Sequence, residues 1–417
     1  MNQRKLFKNY VIEKRAAIFS HMTAIPIVPE SRRRPLRIAV ALILVMMAVL
    51  LAAGCASGDC PLVLYSATIT KLDSNGTVEW TKVLDTGMSN SIAGLVPTSD
   101  GGFVAAGSLS TGIQSHCYLN SLARIIRFSR SGEILWDHNI SETDGTLEII
   151  PMHDGGFALL TGDSKIFRLD SEGKTLWNRI TGSSSLYLRS MINTLDGGLI
   201  IAGPMFVKFD SDGKVLWQHS YENETTYDIF FITNKKEGSG FVGYRISKKE
   251  PRVDFINFDD AGNITNTTEI FSDGHLLGRT IDVGPNGYRL LYTDENQGTT
   301  MMQLDPEGKI VATQKINGSD IFTFTKDQGF LYTESKNVLL EPRQLNPDGT
   351  VNVKAPMHWG LQIQVIKLNP DGSLSWNITL PNTNPRNLRA VQTIQTTDGG
   401  YVVVSENGVL KDLSMLN

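Results

Sequence analysis

Two turn signatures that alternate seven times each, and a tryptophan recurring at one place between them, predict an all-β chain. The predicted architecture is a seven-bladed β-propeller of four-stranded antiparallel blades. The first signature is an Asp-x-x-Gly-like turn, with its glycine at Gly76, Gly132, Gly173, Gly213, Gly262, Gly308 and Gly372. The second is a Gly-aromatic turn, at Gly102, Gly156, Gly198, Gly240, Gly287, Gly329 and Gly400, with Leu199 standing for the aromatic in the third copy. From a first mark to the next second mark the chain runs 21 to 28 residues. Each period holds four short strands, the size of a propeller blade.

The residues before the first turn alternate as a half-buried strand should. Leu72, Phe128, Leu169, Phe209, Phe258, Leu304 and Leu368 share one face with Thr70, Ile126, Phe167, Val207, Ile256, Met302 and Ile366. Between them stand Lys71, Arg127, Arg168, Lys208, Asn257, Gln303 and Lys367, which makes the other face polar. Four residues after the turn glycine come Trp80, Trp136, Trp177, Trp217 and Trp376; Asn266 and Ala312 take that place in the two remaining copies. A tryptophan at a fixed point of a repeat reads first as a packing wedge between units, and second as a ligand-stacking ring.

Residues 1–37 are basic and end in Arg32-Arg-Arg-Pro-Leu-Arg37; residues 38–53 carry no charge and lead to Gly54-Cys55. A basic region, an apolar run and small residues before a junction make a secretory signal. Leu51-Ala-Ala-Gly-Cys55 resembles a lipoprotein signal-peptidase box, which would leave Cys55 lipid-modified. The alternative is an uncleaved membrane anchor over 38–54. Either way the arginines stay in the cytoplasm and the following domain is extracytoplasmic. Met1 and Met22 are both possible starts.

Residues 55–66 read as a tether and 67–417 as the propeller. Strands near 67–72 and 77–83 form a turn-Trp hairpin without an upstream partner, and residues 389–405 form a Gly-aromatic hairpin without a downstream one. The N-terminal hairpin is therefore expected to supply the two outer strands of the seventh blade and close the ring, with 409–413 as a further strand there. Blade 1 spans about 91–140 and contains an insertion, 109–122, with Cys117 and Tyr118. Blades 2 to 5 follow at about 146–180, 187–220, 227–270 and 277–316. Blade 6 carries a larger insertion, 334–360, with Arg343, His358 and Trp359. Both insertions fall between the second and third strands of their blades, so they share one rim and flank blade 7. Tyr118, Arg343, His358 and Trp359 are the candidate binding groups of that rim, since binding residues collect on loops held by a rigid scaffold. With Cys55 lipidated, Cys60 and Cys117 remain close enough in this topology to form a disulfide in an oxidising compartment; two free thiols are the alternative.

Charge and composition exclude some functions. Residues 1–54 hold nine Lys/Arg and two Asp/Glu, leaving 30 and 41 for the remainder. An acidic domain argues against nucleic acid as a partner. There is no His-x-x-x-His, no Cys-x-x-Cys, no phosphate loop and no serine elbow. No metal, no cofactor and no catalytic residues are expected. Asp73, Asp170, Asp210 and Asp305 recur once per blade and read as turn caps rather than calcium ligands. Sequons begin at Asn75, Asn139, Asn223, Asn263, Asn266, Asn317 and Asn377.

Leu169-Asp-Ser-Glu-Gly-Lys-Thr-Leu-Trp177 and Phe209-Asp-Ser-Asp-Gly-Lys-Val-Leu-Trp217 resemble the tryptophan-docking repeat of PQQ-like propellers. The resemblance spans 67–405 and implies the fold. The Asp-to-Gly step is one residue shorter than in the quinoprotein repeat, and no adjacent Cys-Cys pair is present, so the cofactor is not implied. The family includes envelope-anchored lipoproteins that act as assembly scaffolds. The expected function is a membrane-anchored, non-catalytic binding or assembly scaffold with a protein or glycan partner. The alternative is an envelope-surface enzyme, either a PQQ-type oxidoreductase or a glycan hydrolase or lyase.

Overall fold

The computed structural model describes residues 62–411 except 85–88, 116–117, 142, 181–189, 204, 221–226, 248–251, 272–274, 277–280, 285, 294–298, 317–320, 340–358 and 382–387. The basic segment, the apolar run, Cys55, Cys60, Cys117, Arg343 and His358 lie outside the described residues.

Each turn glycine reverses the chain, and antiparallel pairing follows directly. Blade 1 is formed by Asn90–Pro97, Phe103–Ser115, Tyr118–Phe128 and Ile134–Ile140, in that order from inside to outside. Blades 2, 3, 4 and 6 repeat this order. In blade 5 the innermost strand comes in two pieces, His275–Leu276 and Asp282–Gly284, both paired with Gly287–Thr293. Blade 7 mixes the chain ends: Leu388–Gln395, Tyr401–Lys411, Leu62–Leu72 and Val78–Leu84. The N-terminal hairpin thus closes the ring as expected. Residues 62–66, read as tether, are already strand, and Val409–Lys411 continue the second strand instead of adding a new one; Leu62 pairs with Lys411 and Leu72 with Tyr401.

One core cluster fills each space between neighbouring blades. Ala67, Ile69, Phe103, Ala105, Phe128 and Val404 pack between blades 7 and 1, and Val242, Phe255, Tyr288 and Leu304 between blades 4 and 5. No blade buries its faces alone, so apolar burial drives ring closure.

The supposed polar face of the third strands does not meet water. Lys71 is 1 % exposed, Lys367 2 %, Arg168 4 % and Lys208 8 %. Third strands are covered on both faces by adjacent blades, so a charge there needs a partner. The partner is the aspartate of the Gly-aromatic turn. Lys208 Nζ lies 2.7 Å from Asp196 Oδ2, Lys367 Nζ 2.8 Å from Asp327 Oδ2, and Arg127 Nη2 2.7 Å from Asp100 Oδ2. Lys71 reaches Asp398 at 3.3 Å, and Arg168 pairs with Asp154. Lys71 and Lys367 also donate to the carbonyls of Leu72 and Leu368.

Each of these aspartates accepts from the N–H of the second glycine position, at Gly102, Gly156, Gly198, Gly329 and Gly400. The Arg168 hydrogen bond holds the Asp154 carboxyl below its ordinary range. Burial opposes ionisation at Asp100, Asp196, Asp327 and Asp398, yet their threonine, glycine and cation partners still lower them.

Candidate functional site

The blades differ most on the rim opposite these turns. In blades 2 and 3 the second and third strands are 5 and 5, then 4 and 5 residues long. In blade 1 they are 13 and 11, in blade 7 both 11, and in blade 6 both 10. The turn-proximal ends stay in register, with Phe103 opposite Phe128 and Phe330 opposite Leu368. All the extra length therefore projects from the other rim. At about 3.3 Å per residue, five or more extra residues raise a ribbon by roughly 15 Å or more. Three consecutive blades, 6, 7 and 1, carry such ribbons side by side.

Tyr118 opens the third strand of blade 1 opposite Ser115, and Trp359 opens that of blade 6 opposite Leu339. Both stand at the far ends of their ribbons, in backbone positions on the same rim. The stretch read as an insertion in blade 1 is largely continuous strand, 109–115 and 118–122; of that in blade 6, 334–339 and 359–360 are strand and 340–358 lie outside the described residues.

Inside the ribbons the innermost strands of blades 1, 2, 5, 6 and 7 border a cavity of about 790 Å³. Its walls are mainly apolar and hydroxyl groups, among them Ile92, Leu147, Phe322, Thr393 and Ile394. Arg389 and Glu406 sit where blade 7 meets blade 1. Glu406 is 2 % exposed; its Oε1 accepts from the Ile92 N–H at 2.9 Å and its Oε2 from Arg389 Nη2 at 3.1 Å. The Arg389 guanidinium lies over the Tyr65 ring, 5.4 Å from its centre, and its side chain is 62 % exposed. A buried carboxylate thus fixes an exposed cation at the cavity edge. Asp282, also at the cavity, pairs with Arg289, and burial, against the opposing pull of Arg289, raises its pKa above the ordinary carboxylate value.

Sequence reasoning missed Arg389 and Glu406. The available signal was a glutamate directly after Tyr401-Val-Val-Val-Ser405, in a strand that opens with four apolar residues. Among the described residues no group of three or more His, Cys, Asp or Glu could hold a metal ion, and no helix is long and apolar enough to cross a membrane.

The repeated tryptophans lie on the outermost strands, against the turn of the next blade. Trp80 Nε1 donates to Arg130 O (2.9 Å), Trp177 to Ser211 O (2.8 Å), Trp217 to Asp260 O (3.0 Å) and Trp376 to Ser74 O (3.2 Å). Trp136 covers Gly173, and His138 takes the Glu172 carbonyl. Gly213 shows why the turn needs glycine. Its φ is +77°, and a Cβ there would stand 2.7 Å from the Trp177 ring.

A family model described as outer membrane protein assembly factor BamB matches residues 65–239. No curated protein matches the chain. Among solved structures, BamB from Moraxella catarrhalis is 16 % identical over 79 % of this chain and 88 % of its own, with a TM-score of 0.38. A streptogramin B lyase is 12 % identical over 82 % and 98 %, with a TM-score of 0.49. The C-terminal WD40 domain of Sif2 is 9 % identical over 76 % and 97 %, with a TM-score of 0.46. With seven four-stranded blades, a tryptophan docked on a turn glycine at five junctions and the family model matching the first half of the ring, the repeat of this chain is the PQQ-like β-propeller repeat.

Proposed function

We propose that this protein is a membrane-anchored extracytoplasmic scaffold that binds a protein partner on its ribbon-bearing rim. The single observation behind this reading is that, among the described residues, the second and third strands reach ten residues or more in blades 6, 7 and 1 and no more than seven elsewhere. Ribbons that project beyond the blades add little to the inter-blade core, so their length calls for another use. Tyr118 and Trp359 supply aromatic anchors of the kind that dominate interfaces. The matched family model is that of an outer membrane protein assembly factor, which favours a protein as the partner. The signal ending at Gly54-Cys55 supports a lipid anchor on Cys55, and Cys60 and Cys117 are the proposed disulfide that pins the tethered end to blade 1.

The test is cross-linking and co-purification of the full chain from membranes, with Trp359→Ala, Tyr118→Ala and deletion of 340–358. A fall of about tenfold or more in captured partner, with an unchanged melting temperature, is expected. Unchanged capture in all three variants sinks the docking rim. An intact mass that retains residues 1–54 sinks the lipid anchor.

A glycan hydrolase or lyase remains the second reading because Asp282, a carboxyl with a raised pKa, borders the cavity. Such chemistry needs a second available carboxyl. Glu406 is buried and already bonded to Ile92 and Arg389. Loss of a glycan-cleaving activity in Asp282→Asn would favour this reading over the scaffold.

A further inference from the structure

Five of the seven blade junctions are built from the same parts, so a junction that lacks them stands out. Five have a tryptophan over the next turn and five third strands carry a cation paired with a turn aspartate. Blades 4 and 5 lack both. Asn266 and Ala312 replace the tryptophan, and Asn257 and Gln303 replace the cation.

The two gaps are treated differently. Between blades 5 and 6, Arg289 crosses the junction, donates to Gln328 O at 2.9 Å and lies 4.3 Å above the centre of the Phe324 ring. Gln314 covers Gly372. Between blades 4 and 5, Asn266 and Thr268 still reach the Glu307 carbonyl, at 3.3 and 2.6 Å, and the Phe255 ring, from the third strand of blade 4, stands over Gly308 in place of an indole. Beside Asn266 lies a cleft of about 580 Å³ that opens on the turn-bearing rim, away from the ribbons.

We infer that this cleft is a binding site for a neutral, hydroxyl-rich ligand, a saccharide unit. Its size falls within the common range for small-molecule sites, about 300–1,000 Å³. Three amides line it: Asn257 at the floor, 8 % exposed, and Asn266 and Asn286 at the exposed sides. An amide offers donors and an acceptor together, which suits adjacent sugar hydroxyls. The formal charges at the cleft cancel, with Lys235 and Lys236 set against Glu237 and Glu307. A strongly anionic ligand would face two carboxylates and a cationic one two ammonium groups.

The cleft has a fixed back wall. Tyr288 is 2 % exposed, and its hydroxyl accepts from the Lys236 N–H at 3.3 Å, which ties the turn of blade 4 to blade 5.

The test uses the detergent-solubilised full chain and saturation-transfer NMR with maltose, cellobiose and chitobiose, and with glucuronate and glucosamine as charged controls. At least one neutral disaccharide is expected to bind at roughly millimolar or tighter affinity, and Asn266→Trp is expected to weaken it about tenfold or more. Asn266 is exposed and Phe255 already covers Gly308, so the added indole has the cleft itself to enter, and the melting temperature is expected to hold. Asn286→Ala, at an exposed edge, is expected to weaken binding severalfold without affecting the fold. No binding by any neutral disaccharide, unchanged binding in both variants, or tighter binding of the charged controls would overturn the inference.

Discussion

The junction between blades 3 and 4 and the one between blades 4 and 5 share the sheet of blade 4 and differ in their contents. At the first, Trp217 lies on Gly262 and bonds the Asp260 carbonyl, while Lys208 is buried against Asp196. At the second, Asn266 only reaches a carbonyl of the next turn, the Phe255 ring stands over Gly308, and Asn257 stands where the cation would be. The apolar layer beneath is complete in both, with Phe206, Phe241 and Phe258 at one and Phe255, Tyr288 and Leu304 at the other. Inter-blade adhesion is thus set by the apolar layer. The tryptophan and the cation act as fasteners at the rim, and the ring tolerates their absence.

The comparison predicts unequal losses. The largest is expected for Lys71→Ala. Its ammonium serves Asp398, Glu79 and the Leu72 carbonyl from a site 1 % exposed, and the Asp398 side chain is itself only 11 % exposed. Removing one member of a buried pair costs about 3–5 kcal/mol. Urea unfolding of Lys71→Ala beside Asn257→Ala would check this, with less than about 1.5 kcal/mol expected for the neutral residue. Equal losses would mean the buried cations contribute no more than the amide that replaces them.

A smaller difference is expected at the rim itself. Trp177→Ala gives up ring contact with Gly213 and the Ser211 hydrogen bond from a half-buried position, about 2–3 kcal/mol. Asn266→Ala forfeits two exposed hydrogen bonds, to Thr268 Oγ1 and Glu307 O, with Thr268 still bonded to Glu307 O, about 0.5–1 kcal/mol. Thermal denaturation of the two variants side by side distinguishes the cases.

The smallest and most distributed effect is that of acid. The carboxyls of Asp100, Asp154, Asp196, Asp327 and Asp398 are lowered from 3.8 in the folded chain, and Asp163, held by Thr143, Thr161 and Lys165 against the cost of burial, falls to about 2. A carboxyl depressed by folding stabilises the native state above its unfolded pKa, and that contribution is lost as pH falls through the folded value. Stability is therefore expected to decline from about pH 4 toward pH 2. Hydrogen exchange should report it first at Gly102, Gly156, Gly198, Gly329 and Gly400, whose N–H groups bond these aspartates, while Gly240 and Gly287 keep their protection ratio. Uniform loss around the ring would mean the turn aspartates are not the acid-sensitive parts.

Much of this was legible in the chain. The alternation of turn glycines gave seven blades, because a turn that needs φ > 0 restricts residue choice locally. The unpaired hairpins at the two ends gave the closure of blade 7, since each lacked a partner that the other provides. The burial of Lys71, Arg168, Lys208 and Lys367 was not legible. A lysine between two apolar residues has the same pattern whether its face meets water or another blade. The pairing was nonetheless written in the sequence as a correlation: copies whose turn lacks aspartate, at 234–240 and 284–287, are the copies whose third strand lacks a cation.

The ribbons were read as insertions because extra residues between two strands carry no local mark of whether they loop out or prolong the pairing. Arg389 and Glu406 were missed because their partners, Ile92 and Tyr65, lie more than 300 residues away in sequence.

What the sequence by itself determined is local: turn type, strand alternation, repeat number and the wedge position, each fixed by the backbone and side chains of a few adjacent residues. What only the tertiary structure decided is what those residues face. Curving seven sheets into a ring covers both sides of every inner strand and brings residues 62–72 against 401–411. It also leaves a cleft at the rim between blades 4 and 5. Burial and juxtaposition are properties of the closed ring, and no stretch of the chain shorter than the ring contains them.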